Sequence, residues 1–199
     1  MRKVFVLSWL LLILSGICVV FWQQEWKYSL PTPVPACYRS VAPGAHIDLA
    51  GKIRTETGKP LFIHFFNPEC PCSRFNAPHF NSLVRKYGDK MTFAIVLINT
   101  TTQHDPEDIQ RKYDFKVPVL TDTTIAAACG VYSTPQAALL TADSRLYYRG
   151  NYNRSRYCTD TRSDYARMAI DSMMLHISRP TFNQFALTAY GCQLPYCTR

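Results

Sequence analysis

The sequence predicts one α/β domain with a central mixed sheet flanked by helices, carried behind a single N-terminal transmembrane helix. Three observations predict it. An uncharged stretch over residues 4–22 follows directly on Arg2 and Lys3, two short apolar runs at 59–66 and 91–98 bracket an amphipathic segment, and a second strand-like pair follows at 135–149. With 199 residues and a hydrophobic fraction of 47%, the chain can bury one sizeable core beside an anchor, but hardly two.

The stretch 4–22 is long enough to cross a hydrocarbon core of about 30 Å as a helix, and longer than the roughly 7–15 apolar residues of a cleaved signal. It is therefore expected to be a retained anchor occupying residues 1–27. Leu14-Ser15-Gly16-Ile17-Cys18 approximates a lipoprotein box with one residue too many, which leaves lipidation of Cys18 as an alternative. Positive charge before the helix and no net charge over residues 23–27 put the N-terminus in the cytoplasm and everything after Trp26 outside. The expected location is a bacterial inner membrane crossed once, with the domain facing the periplasm.

Seven of the eight cysteines fall in that outer portion, at 37, 70, 72, 129, 158, 192 and 197, a density suited to an oxidising compartment. The net charge of +8 is spread along the chain without a basic helix or an aromatic-basic ladder, so it is read as a solvated surface, and nucleic acid is not an expected partner.

After the anchor, prolines 31, 33 and 35 favour an extended spacer over residues 28–40 that holds the domain off the bilayer. The domain proper is expected over 41–178. The apolar runs KPLFIHFF (59–66) and MTFAIVLI (91–98) read as buried strands, and Phe75, Phe80, Leu83 and Val84 put one apolar stripe on a helix over 73–87. Strand, helix and strand form a βαβ unit. Residues 105–113 predict a helix with Pro106 in its first turn, 118–120 a short strand, and 123–129 a short helix ended by Gly130. Residues 135–140 and 145–149 predict an antiparallel hairpin, and 161–177 and 181–189 two closing helices. Residues 179–199 then form a C-terminal helical extension.

The chemistry concentrates in Asn67-Pro68-Glu69-Cys70-Pro71-Cys72-Ser73, where a buried strand ends and a helix begins. A cysteine at that junction meets unpaired backbone N–H groups and the positive end of the helix dipole, which favour the nucleophilic thiolate. This block, with Ala77-Pro78 in the following helix, resembles the active site of the thioredoxin superfamily, and the chain resembles its membrane-anchored TlpA-like and AhpC/TSA-like bacterial members over residues 41–177. The resemblance makes Cys70 the attacking cysteine and puts Ser73 in the slot of the second cysteine, giving a Cys-Pro-Cys-Ser variant. It also makes Thr134-Pro135 the cis-proline loop, with Thr134 offering backbone groups to an extended substrate strand.

Three ways of resolving a Cys70 mixed disulfide stay open: Cys72, Cys158 or an external thiol. Cys158 follows the hairpin, and the resemblance implies that this segment returns near the catalytic cysteine. Cys192 and Cys197 flank Pro195 and are expected to close a local structural disulfide, and Cys129 to pack in the core.

The resulting function is thiol-disulfide exchange with protein or small-molecule disulfides, served by a membrane or periplasmic redox partner and needing no cofactor or bound metal. Two alternatives remain. A copper(I) or zinc carrier would use Cys70 and Cys72 with His64 and His79 nearby in sequence, although His64 also suits a core position and His79 a helix surface. A peroxiredoxin-like peroxidase would draw on Arg149, Arg154 or Arg156, but Asn67 and Glu69 stand where its hydroxyl residue belongs.

Overall fold

The computed structural model describes residues 2–49, 51–56, 58–178 and 180–195. Helix α1 (Arg2–Phe21) has every described side chain outside the core and is long and apolar enough to cross a membrane. A π-helical turn (Trp22–Trp26) and a short helix α2 (Lys27–Ser29) continue it, with Trp22 stacked on Trp26.

Strand β1 (Leu61–Phe66) is buried along its whole length and sits at the centre of a five-stranded sheet. Helix α3 (Pro71–Tyr87) crosses to strand β2 (Thr92–Leu97), which pairs parallel with β1, Phe62 opposite Phe93 and Phe66 opposite Leu97. Helix α4 (Pro106–Tyr113), capped by the Asp105 carboxylate accepting from the Glu107 N–H, leads to strand β3 (Val119–Leu120), parallel to β2. Helix α5 (Thr124–Ala128) follows, ended by Gly130 at φ +66°.

Strand β4 (Ser133–Thr134) leaves the main sheet, and the chain re-enters it as the hairpin β5 (Gln136–Leu140) and β6 (Leu146–Gly150). Strand β5 runs antiparallel to β1, which makes the sheet mixed, in the order β3-β2-β1-β5-β6.

Both faces of this sheet are covered, which is why β1 and β2 read as continuous apolar runs rather than alternating ones. One face carries Phe62, Phe66 and Phe93 against Phe80 and Leu83 of α3 and Ala166 and Ile170 of helix α6 (Tyr165–Met174). The other carries Leu61, Ile63 and Phe65 against Ile125 and Ala126 of α5.

Four expectations change. The buried stripe of α3 runs through Asn76, Phe80, Leu83 and Tyr87, while Phe75 is 42% exposed and packs on Tyr157. The helix expected from 161 splits, because the Asp160 carboxylate caps a 3-10 turn (Thr161–Ser163) and Asp164 then caps α6 anew. The helix expected over 181–189 shrinks to α7 (Gln184–Leu187), since the chain turns extended at Thr188 and gives strand β7 (Cys192–Gln193). Finally, the proline-rich spacer does not stand off. Pro31 bridges Tyr190 in antiparallel fashion, and the Thr32 N–H donates to the Ala189 carbonyl at 2.8 Å.

Candidate active site

Cys70 closes the turn after β1 and is the N-cap residue of α3, with extended backbone (φ −82°, ψ 118°) and its carbonyl accepting from the Arg74 N–H. Pro71 opens the helix, where its missing N–H costs nothing. The preceding turn is held by Asn67, whose side-chain oxygen accepts from the Glu69 N–H at 2.8 Å. The Glu69 carboxylate in turn accepts from Thr100, Thr101 and the Thr102 N–H. The Thr100 and Thr101 hydroxyls, followed by the backbone donors, pull its pKa down to about 2.

Across from α3, the Thr134–Pro135 peptide bond is cis. The Cys70 sulfur lies 3.4 Å from the Thr134 carbonyl oxygen, and it is joined in a disulfide to Cys192, with the two Cα atoms 6.0 Å apart. A bridged sulfur has no proton to give, so this approach is a hydrogen bond only in the thiol form. Strand β7 pairs antiparallel with β4, Thr134 opposite Cys192 and Ser133 opposite Gln193. Cys70 is 1% exposed under this cover.

This pairing corrects the expected local staple. The Cys192 sulfur is bonded to Cys70, and a sulfur forms one such bond; Cys197 lies outside the described residues. The reason is that residues 189–194 run extended alongside Thr32, Thr134 and Tyr132, which carries Cys192 to the start of α3.

Cys72 and Cys158 are free and both line a cavity of about 380 Å³ with Asn76, Arg154, Arg156 and Tyr157. Burial pushes the Cys72 thiol up in pKa, partly countered by Arg156. Burial also pushes Cys158 up, to about 11, against a 3.0 Å hydrogen bond donated by the Asn76 side-chain amide. Neither is bonded to Cys70. Ser73, in the slot of the second cysteine, is fully buried, and its hydroxyl accepts from the Asn67 N–H at 3.4 Å, so it braces the turn.

The turn after α1 lines one side of the cavity with Glu25, Tyr28 and Ser29. Glu25 accepts from the Tyr157 hydroxyl at 2.7 Å and lies 3.4 Å from Arg156, whose guanidinium also rests over the Tyr28 ring.

His64 is fully buried, stacked on Phe80 and 2.8 Å from the Tyr152 hydroxyl through Nδ1. Burial, aided by repulsion from His79, drives its pKa down to about 3. It is a neutral core residue. His79 is not on the open helix surface as expected; its ring is 14% exposed and sits 3.0 Å from Asp164. Cys129 is fully buried, as the sequence suggested. Arg149 donates to the Val41 carbonyl at 3.1 Å.

Sequence reasoning missed Cys192 as the neighbour of Cys70, together with the residues that seat it, Thr32, Ser133 and Gly191. The odd cysteine count after the apolar first helix and the Gly191-Cys192 dipeptide were the signals in the sequence.

With this geometry in hand, comparison with known proteins identifies the family. The model of DUF6436, a domain of unknown function, matches residues 44–198. The chain belongs to this family. No curated protein matches it. Among solved structures, the DUF6436 chain is similar to a hypothetical protein, SMc02350, from Sinorhizobium meliloti 1021, at TM-score 0.65 and 16% identity over 81% of this chain and 98% of that one. An uncharacterised conserved protein from Geobacillus kaustophilus aligns at TM-score 0.63 and 15% identity, covering 85% and 97%. The thioredoxin domain of a thiol-disulfide oxidoreductase from Bacteroides vulgatus aligns at TM-score 0.46 and 14% identity, covering 60% and 96%. The sheet order β3-β2-β1-β5-β6, with helix α3 crossing from β1 to β2 and a cis-proline before β5, makes the fold of this DUF6436 member thioredoxin-like, preceded by an apolar helix.

Proposed function

We propose that the protein is a membrane-anchored, extracytoplasmic thiol-disulfide oxidoreductase in which Cys70 is the exchanging sulfur and Cys192 its partner within the chain. The observation that carries this reading is the position of Cys70 at the N-terminus of α3, bridged to Cys192 beside the cis Thr134–Pro135 bond. Helix N-terminal N–H groups and the helix dipole stabilise the thiolate that leaves or attacks at such a position.

In the exchange, with the bridge reduced, the Cys70 thiolate attacks a substrate disulfide and forms a mixed disulfide, and the released substrate thiolate takes a proton. The Cys192 thiolate then attacks Cys70 in the mixed disulfide, re-forming the bridge and releasing the second substrate thiol. Two electrons pass from the Cys70–Cys192 dithiol to the substrate disulfide, and a separate dithiol reductant reopens the bridge. Thr134 and Pro135 form the docking edge. Cys72 and Cys158 are free thiols, so in this reading the Cys70–Cys192 pair carries the exchange, and a copper(I) site on Cys70 and Cys72 would first require the bridge to open.

The test is trapping of the full-length protein, reduced beforehand, in detergent with a disulfide-bonded peptide, comparing Cys70→Ser, Cys192→Ser, Cys72→Ser and Cys158→Ser. A mixed disulfide that accumulates in Cys192→Ser and disappears in Cys70→Ser supports the reading. Trapping that persists without Cys70 ends it.

A further inference from the structure

We infer that residues 189–194 form a redox-latched strap: the chain's own C-terminal strand occupies the docking edge of β4, and reduction of the Cys70–Cys192 bond frees that edge. This rests on the exchange reading above and adds its regulation.

The strap is a backbone-paired strand, not a loop that happens to pass by. Cys192 faces Thr134 and Gln193 faces Ser133 in the antiparallel pair, and the Leu194 N–H donates to the Tyr132 carbonyl at 3.0 Å. On its other side the strap is gripped by the juxtamembrane segment. Thr32 donates its N–H to Ala189 and shares its hydroxyl with the Gly191 carbonyl at 3.2 Å and the Ser133 hydroxyl at 3.1 Å.

Gly191 makes this close approach possible. Its φ of +131° lies where side chains are rarely tolerated, and a Cβ there would collide with the Thr134 carbonyl oxygen. A glycine placed one residue before a sulfur-bridged cysteine lets the two backbones meet at the edge that carries Thr134.

The same edge cannot pair with two strands at once. While the bridge is intact, Cys70 is 1% exposed and Thr134 1%. An extended polypeptide that adds to this edge by main-chain pairing must therefore displace residues 189–194. Without the bridge, the strap keeps a two-residue pair, the Leu194–Tyr132 hydrogen bond, the Pro31–Tyr190 bridge, the Thr32 contacts and the burial of Leu194, a set of short-range contacts that can open locally.

The opening step is balanced by a dithiol reductant. One of its thiolates attacks Cys192 and expels the Cys70 thiolate, and its second thiol then displaces the Cys192 thiolate. The reductant becomes a disulfide, two electrons enter the bridge, and two protons end on the released thiols or in solvent.

The experiment uses the full chain in detergent and two measurements. Hydrogen exchange of the 189–195 segment in the oxidised wild type and in the Cys70→Ser/Cys192→Ser variant, which opens this bridge alone, is expected to rise by roughly tenfold at Leu194 in the variant. Equal protection in both proteins overturns the strap. In the second measurement, reduced Cys192→Ser protein, with and without Gly191→Val, reacts with 5,5′-dithiobis(2-nitrobenzoate) and with the nitrobenzoate mixed disulfide of a short cysteine peptide. Gly191→Val is expected to uncover Cys70 to both reagents and to speed the peptide reaction by roughly tenfold more than the small-disulfide reaction, because only the peptide also needs the edge that the strap has left. An equal change in both reactions, or none in either, overturns the strap. A Cys70 that reacts with neither reagent in any form removes the exchange reading itself, and this inference with it.

Discussion

Thr134 faces Cys192 across an antiparallel backbone pair while its carbonyl oxygen lies 3.4 Å from the sulfur of Cys70. One residue thus touches both halves of the bridge. It contacts the first through the loop opposite α3 and the second through the strand that covers it, so the covalent link and the strand pairing support each other.

The bridge closes a long loop, with 122 residues of sequence separation. On the chain-entropy account, such a link stabilises the folded state by about 4–5 kcal/mol, and measured values often fall lower. Chemical denaturation of the Cys70→Ser/Cys192→Ser variant against the oxidised wild type is expected to show a loss of about 2–4 kcal/mol. A non-reducing digest is expected to yield a peptide joining Cys70 to Cys192 and none joining Cys192 to Cys197.

Cys158 is held protonated. With its pKa pushed to about 11 by burial, about one molecule in a thousand carries the thiolate at pH 8. Alkylation of the reduced protein at pH 8, followed by mass spectrometry, is expected to label Cys70 first and Cys158 far more slowly. Cys158→Ser is expected to leave the exchange rate within about twofold, since a thiolate so scarce contributes little nucleophile.

His64 gives the protein an acid-sensitive core. Its pKa falls from 6.5 in the unfolded chain to about 3 when folded, so the unfolded state binds the extra proton between those values. The stability that the neutral ring permits is complete above about pH 6.5 and is lost as pH falls toward 3, at up to about 1.4 kcal/mol per pH unit. Denaturation midpoints from pH 7 to 4 are expected to show this slope in the wild type. The paired variant His64→Phe with Tyr152→Phe, which removes the base without orphaning the hydroxyl, is expected to flatten it.

Phe80 is the hinge of the core beneath α3. It is fully buried and packs against His64, Phe62, Phe93 and Phe115. Phe80→Ala is expected to cost about 3–5 kcal/mol through lost transfer energy and the cavity left behind. A thermal melt read by circular dichroism checks it. Phe75→Ala, which removes an exposed ring on the same helix, is expected to cost far less.

The sequence by itself determined the apolar first helix, the buried strands at 61–66 and 92–97, the crossover helix between them and the cysteine at its start. Each rests on local information: unbroken apolar runs, helical spacing, and a proline just inside a helix. The hairpin was legible for the same reason, through the strand-like runs at 135–140 and 145–149, whereas the cis-proline loop at Thr134-Pro135 came from the resemblance to the thioredoxin superfamily.

Only the tertiary structure decided the partner of Cys70. Disulfide pairing follows distance in space, and the strand that delivers Cys192 is two residues long, too short to show a period in sequence. Its pairing partners, Thr32 and Thr134, lie about 160 and 58 positions away and carry no mark of their shared destination. Helix propensity over 181–189 and extended proline geometry at 31–35 were real local tendencies, but backbone pairing between those two segments outweighed the first and redirected the second.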